Sequence, residues 1–169
     1  MKKYNLFWFR RDLRLEDNVV LAQVLLEELI EMKVPFDGTA LSDPEVDAMY
    51  DAYQYVNADY WVVCYRNRIL GGAGIAPLRN GPDGYCELQK MYFLPKARGN
   101  GLGSQMMHKC LQQAQRFGFT DCYLETMPNM MHAQKLYQKF GFEYIEHPLG
   151  NTGHCSCPVW MVKSLRDDT

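Results

Sequence analysis

The chain has 169 residues, 47% of them hydrophobic and 22% charged, which suits one globular domain spanning residues 1–169 and excludes a fibre or a disordered chain. Its 18 basic and 20 acidic residues leave a formal charge of −2, without the basic surplus typical of a nucleic-acid binder. The longest apolar stretch, Val19 to Ile30, is broken by Gln23, Glu27 and Glu28, so no membrane helix is expected.

Lys2 and Lys3 are not followed by an apolar run and a small-residue cleavage site, so the start does not read as a secretion signal and a cytoplasmic protein is expected. Tyr4 to Arg10 predicts a strand. Asp17 is placed to cap a helix running to about Met32, with Leu21, Val24, Leu25 and Leu29 on one face. Ser42 and Glu45 fit a capping box with Pro44 in the first turn, ahead of a short helix carrying Val46, Met49, Tyr50 and Tyr53. Tyr60 to Tyr65 and Ile69 to Ala76 are strands around the turn Arg66-Asn67-Arg68, the second loosened by Gly71, Gly72 and Gly74. The breaker cluster Asn80 to Gly84 precedes a longer strand, Tyr85 to Leu94.

Pro95 ends that strand. The loop Arg98-Gly99-Asn100-Gly101-Leu102-Gly103 leads into a helix striped by Leu102, Met106, Cys110, Ala114 and Phe117, which Gly118 stops. Cys122 to Thr126 is a strand. Met130 to Phe140 is a helix with Ala133, Leu136, Tyr137 and Phe140 inward, closed by Gly141. Glu143 to Glu146 and Val159 to Val162 are two last strands around the loop His147 to Pro158. This order predicts an α/β sheet with antiparallel and parallel parts.

A strand, a glycine-rich turn and a helix N-terminus can hold an anion, because free main-chain N–H groups and the helix dipole point at it and glycine allows close approach. The spacing excludes two ligand types. Gly103-Ser104 lacks the lysine of a nucleotide-triphosphate loop, and Ser104 stands where a dinucleotide loop carries its last glycine. What remains is Arg-x-x-Gly-x-Gly, which alone would equally suit a tight turn.

The surroundings of that loop decide between the two. The stretch MYFLPKARGNGLG, Met91 to Gly103, resembles motif A of the GNAT acetyltransferases, and AQKLYQKFGF, Ala133 to Phe142, is similar to their motif B. The resemblance covers roughly Tyr60 to Val162. It implies a GNAT fold, a mixed central sheet of about six or seven strands with flanking helices, splayed between the fourth and fifth strands. It also implies acetyl-CoA as co-substrate. By resemblance the pyrophosphate lies on the amides of Gly99, Asn100, Gly101, Leu102, Gly103 and Ser104 next to Arg98, and the pantetheine and acetyl group run along Met91, Tyr92 and Phe93. Family members are often dimers, although no self-complementary patch is legible here.

Transfer to an amine needs a base, a site for the oxyanion and an acid for the leaving thiolate. Glu87 is the first candidate for the base, at an offset from Arg98 similar to that of a strand glutamate in the histone-acetylating branch; a salt-bridged or solvated strand-face carboxylate is the plainer reading. Alternation puts Glu87, Gln89 and Met91 on one face unless a bulge intervenes. Glu125 is the second candidate, and two carboxylates near one cleft would raise each other's pKa. Tyr137, at the motif B tyrosine, is the expected acid; a core tyrosine is the alternative. The family often places Asn seven residues before that tyrosine, where this chain has Met130, so Asn129 is a displaced candidate for a pantetheine contact. His154 and Tyr53 are candidates for the acceptor side.

The six cysteines are Cys64, Cys86, Cys110, Cys122, Cys155 and Cys157. Four lie in apolar runs, as small hydrophobes do, and reduced thiols are expected. His154, Cys155 and Cys157 lack the fourth ligand of a tetrahedral zinc site, so no metal is expected. The opening FWFRRDLRLEDN looks like that of photolyases, which are far longer, and it reads as a coincidence. The function expected is acetyl-CoA-dependent N-acetylation of a small amine, amino acid or peptide, with no nucleic-acid or membrane partner; the alternative is an acyl-CoA-binding regulatory module without catalysis.

Overall fold

The computed structural model describes residues 6–166. A seven-stranded sheet runs in the order β1-β2-β3-β4-β5-β7-β6. Its strands are β1 (Phe7–Arg10), β2 (Asp59–Tyr65), β3 (Arg68–Pro77), β4 (Tyr85–Phe93), β5 (Asp121–Thr126), β6 (Glu143–Ile145) and β7 (Val159–Ser164). Only β4 and β5 run parallel; every other pair is antiparallel. Tyr4 and Asn5 of the first predicted strand lie outside the described residues. Among the described residues no helix is long and apolar enough to cross a membrane.

Helix α1 (Asp17–Glu31) and the one-turn α2 (Met49–Ala52) cover one face, while α3 (Leu102–Arg116) and α4 (Met131–Lys139) cover the other. The apolar stripe of α3 is buried as its spacing predicts: Leu102, Met106, Cys110 and Ala114 join Val63, Ile75, Leu88 and Leu124 in the larger core. Leu21, Leu25, Met49, Tyr53, Tyr60 and Val62 form the second core. Cys64, Cys86, Cys110 and Cys122 are buried in these layers.

Local expectations need correction at the front. Glu16, not Asp17, is the N-cap of α1, and no side chain caps it. Asp17 is instead the buried partner of Arg10 at 2.8 Å and accepts the Arg14 main-chain N–H. The photolyase-like opening is therefore a fold clamp. The capping box at Ser42 is replaced by Asp43 in the N-cap of a 3₁₀ turn, Pro44–Ala48, again without a side-chain cap; the Ser42 side chain is outside the described set. The carboxylates of Asp43 and Glu45 go to Lys90 instead.

Two departures from a regular sheet shape its centre. The β4–β5 ladder covers only Tyr85–Glu87 against Asp121–Tyr123, so from Leu88 onward the two strands part. On its other side β4 carries one extra residue: Gly72 pairs with Tyr92 but Gly74 pairs with Gln89. That bulge puts Lys90 at φ +48°, in the left-handed region that L side chains disfavour. The glycines of β3 do not loosen it. A Cβ at Gly72 or Gly74 would stand 2.5 or 2.6 Å from the Tyr60 ring, so these glycines admit that ring, whose hydroxyl donates to the Lys90 carbonyl.

Candidate active site

The loop after β4 is built to leave its amides free. Gly99 and Gly101 hold φ +73° and +72°, and a Cβ at either would meet nothing within 4 Å, so both open onto empty space. Gly101 is the N-cap of α3, and no side chain caps the helix. The first-turn N–H groups therefore remain available, as an anion site requires. Asn100 turns its amide inward, donating to the carbonyls of Ala97 and Arg98. The main chain of this loop and the N-terminal half of α4 border an apolar-walled cleft of about 610 Å³.

Arg98 lines that cleft, but its guanidinium is occupied. It donates to Glu28 at 2.5 Å, to Glu31 at 2.7 Å and to the Phe93 carbonyl at 2.9 Å. Asn129 likewise lines the cleft while its amide donates to the Met32 carbonyl at 2.7 Å. Both side chains tie the end of α1 to the cleft rim. Gly103 packs close to Leu136, where a Cβ would stand 3.2 Å from a methyl group, and this lets α3 and α4 converge behind the loop.

Where β4 and β5 part, a narrow space of about 60 Å³ continues from the cleft. Met91, Tyr92 and Tyr137 line both spaces. The Tyr137 hydroxyl has no hydrogen-bond partner among the described residues, and burial pushes its pKa up to about 12. The bulge overturns one expectation. Met91 falls on the face of Leu88, against the α3 core, while Tyr92 falls on the face of Gln89, against the α1 side. Glu87 and Met91 therefore do not share a face: the extra residue inverts the alternation beyond Lys90.

Both candidate carboxylates line this gap. Glu87 is 4% exposed and accepts one hydrogen bond, from the Gln89 amide at 2.7 Å; its other oxygen has no partner among the described residues. Gln89 is oriented by Tyr53, whose hydroxyl donates to it at 2.8 Å. Burial chiefly holds the Glu87 carboxyl above the usual carboxylate range, and the charge of Glu125 adds to this. Glu125 is more heavily bonded. It accepts from the hydroxyls of Tyr123 at 2.6 Å and Thr152 at 2.8 Å.

His154 closes the far side. Its Nε2 lies 3.0 and 3.1 Å from the two oxygens of Asp43, and its Nδ1 lies 3.7 Å from Glu125. Asp43 is held from its other side by Lys90 Nζ at 2.8 Å, so the bulge residue anchors the cluster. Burial works to lower the His154 pKa, but the hydrogen bond and charge of Asp43, helped by Glu87, outweigh it and the net shift is upward. Beyond His154 and Glu87 a cleft of about 930 Å³ opens, bordered by Tyr53 and Lys90. Sequence reasoning did not find Asp43, Lys90, Tyr123 or Thr152, and it placed Gln89 on the face of Glu87 without a role. Alternation was the signal for Gln89, whose amide does reach Glu87, and a place in the loop of His154 was the signal for Thr152.

Residues 26–142 match the sequence pattern of the Acetyltransferase (GNAT) family. The chain is 42% identical to the uncharacterized N-acetyltransferase YjgM of Escherichia coli K12, over 92% of this chain and 93% of that protein. A GNAT-family acetyltransferase from Staphylococcus aureus Mu50 superposes with a TM-score of 0.84 at 18% identity, covering 95% of this chain and 99% of the other. The yncA protein of Salmonella typhimurium, solved with its cofactor acetyl-CoA, superposes with a TM-score of 0.75 at 16% identity, over 98% of this chain and 97% of the other. At such identities these two likenesses are ones of fold.

Proposed function

Because this chain belongs to the acetyltransferase (GNAT) family, we propose that it moves the acetyl group of acetyl-CoA to a primary amine by direct attack, with both substrates bound together. One observation carries the reading. The gap between β4 and β5 shares Met91, Tyr92 and Tyr137 with the glycine-loop cleft and Glu87 and His154 with the outer cleft, so it lies between a loop of open amides and a pair of carboxylates.

The residues present fit acetyl-CoA. The uncapped N-terminus of α3 and the open faces of Gly99 and Gly101 suit the pyrophosphate, with Asn100, Leu102, Gly103 and Ser104 supplying further main chain. Met91, Tyr92 and Phe93 border the path for the pantetheine arm. β4 has no ladder partner on the β5 side from Leu88 on, so its main chain is free to pair with an extended ligand. When bound, acetyl-CoA supplies the acyl carbon and a thiolate leaving group.

Glu87 serves as the base. It lines both the gap and the outer cleft, keeps one oxygen unbonded and has a pKa displaced toward neutrality, whereas both oxygens of Glu125 already accept hydroxyl protons. As the nitrogen bonds to the acyl carbon and the carbon–sulfur bond breaks, Glu87 takes the amine proton and the Tyr137 hydroxyl gives its own to sulfur. Cys157 also borders the gap, but burial, then Glu125 and Asp43, push its pKa up to about 12. A thiol so reluctant to ionise is a poor nucleophile, which favours direct transfer over an acylated cysteine.

The test is the release of free thiol from acetyl-CoA in the presence of a panel of primary amines. Amine-dependent release supports the reading. Thermal stabilisation by acetyl-CoA with no release for any amine would instead favour a binding module.

A further inference from the structure

The lining of the outer cleft is of two kinds. Asp43, Glu87 and His154 are polar. Ala52, Tyr55 and Val56, from α2 and the segment after it, are apolar, as are Pro77 at the end of β3 and Leu78 just past it. Val56 is 84% exposed and Tyr55 is 74% exposed, the two highest values among the exposed large hydrophobic side chains described. Both line this cleft. Apolar surface left in water on the rim of a cleft is where a ligand gains by covering it. The volume, about 930 Å³, is ample for a small ligand.

The cations of the lining are already paired. Lys90 is buried against Asp43, with Glu45 at 3.7 Å, and Arg79, 69% exposed, pairs with Glu45 at the surface. Glu87, by contrast, keeps one oxygen unbonded and offers an acceptor for the amine proton. Resting on the transfer reaction proposed above, we infer that the acceptor is a primary amine borne on an apolar body, aromatic or branched aliphatic, that lies along Tyr55 and Val56 with its nitrogen at Glu87. A free amine and the amino terminus of a peptide with an apolar first residue share this chemistry.

The experiment is thiol release with 2-phenylethylamine and isoamylamine, against ethanolamine and putrescine, and with peptides starting in Leu against peptides starting in Gly. The expected result is a kcat/KM at least tenfold higher for the apolar member of a pair, since a single methylene in an apolar pocket discriminates by about 10-fold or more. Whether the free amines or the Leu peptides lead identifies the source. Val56→Asp and Tyr55→Ser should each cut the apolar-to-polar ratio at least fivefold. Both positions are mostly exposed, so folding is expected to survive, and unchanged melting confirms that. Equal rates across the pairs, or a ratio untouched by both variants, overturns the apolar acceptor alone. No amine-dependent release with any of these acceptors overturns the transfer reaction with it.

Discussion

The phenol of Tyr60 donates to the main-chain carbonyl of Lys90 at 2.9 Å, at the residue where β4 leaves its regular pleat. A non-glycine residue in the left-handed region costs roughly 1–2 kcal/mol, so the bulge must be held by its surroundings. Tyr60 holds it from within the sheet and Asp43 from the side-chain end. The bulge in turn decides which face each residue takes where the gap opens: Met91 turns to the α3 core and Tyr92 to the α1 side.

Tyr60→Phe tests that hold. The ring stays between Gly72 and Gly74, but a buried carbonyl loses its donor, which costs about 1–3 kcal/mol. The urea midpoint should fall accordingly. Turnover should fall further than the lost stability explains, because Lys90 and Asp43 are anchored at the bulge. A variant with lower stability but full turnover would separate the bulge from the site.

Glu87→Gln should lower turnover more than about tenfold, in the range of general-base effects, with little change in the KM for acetyl-CoA. Stability should move the other way. Burial raises the Glu87 pKa in the folded chain. Its contribution is therefore favourable below the unfolded carboxylate range and is lost as pH rises through the raised value. Glutamine does not ionise and escapes that loss. At pH 7 the variant should melt at the same temperature as the parent or higher, which thermal melts at pH 5 and 7 will check.

The glycine loop, the strand before it and the tyrosine of α4 were legible because each is a local pattern: backbone freedom, a proline stop, helical spacing. The splay followed from family resemblance. The bulge was not legible, since lysine has no preference for φ +48° and the groups that hold it, the Tyr60 hydroxyl and Asp43, sit 30 and 47 positions away. Asp43 and His154 meet across 111 positions, and Arg98 and Glu28 across 70. Side-chain pairs at such separations leave no periodicity to read. Arg98 shows the consequence: its motif suggested a phosphate partner, and its guanidinium lies on two carboxylates.

Asp43→Asn should change how stability depends on pH. His154 has a raised pKa in the folded chain, so its contribution is fully present below the ordinary histidine value and is lost as pH rises through the raised one. Removing the Asp43 charge removes the main cause of that rise. The parent should lose melting temperature between about pH 6.5 and the raised value, and the variant should show a flatter profile over that window. His154→Gln should flatten it too. A parent profile with no slope there would mean that His154 is not held as the geometry shows.

Arg98→Gln separates binding from architecture. If the guanidinium served mainly the pyrophosphate, its loss would weaken acetyl-CoA and leave the free protein unchanged. The contacts predict the reverse emphasis. Glu28 has a side chain only 5% exposed, and Arg98 is its ion-pair partner. Burial already raises the Glu28 pKa against the pull of Arg98. Stripping the partner from a buried charge costs several kcal/mol in full interiors, while exposed pairs are worth under about 1 kcal/mol. With Arg98 one-third exposed, a loss of about 1–3 kcal/mol is expected between those limits. Glu28→Gln should be milder, and the double variant should recover part of the loss, giving a coupling energy measurable by urea denaturation. If the single losses simply add, Arg98 and Glu28 act independently and the clamp between α1 and the glycine loop is refuted.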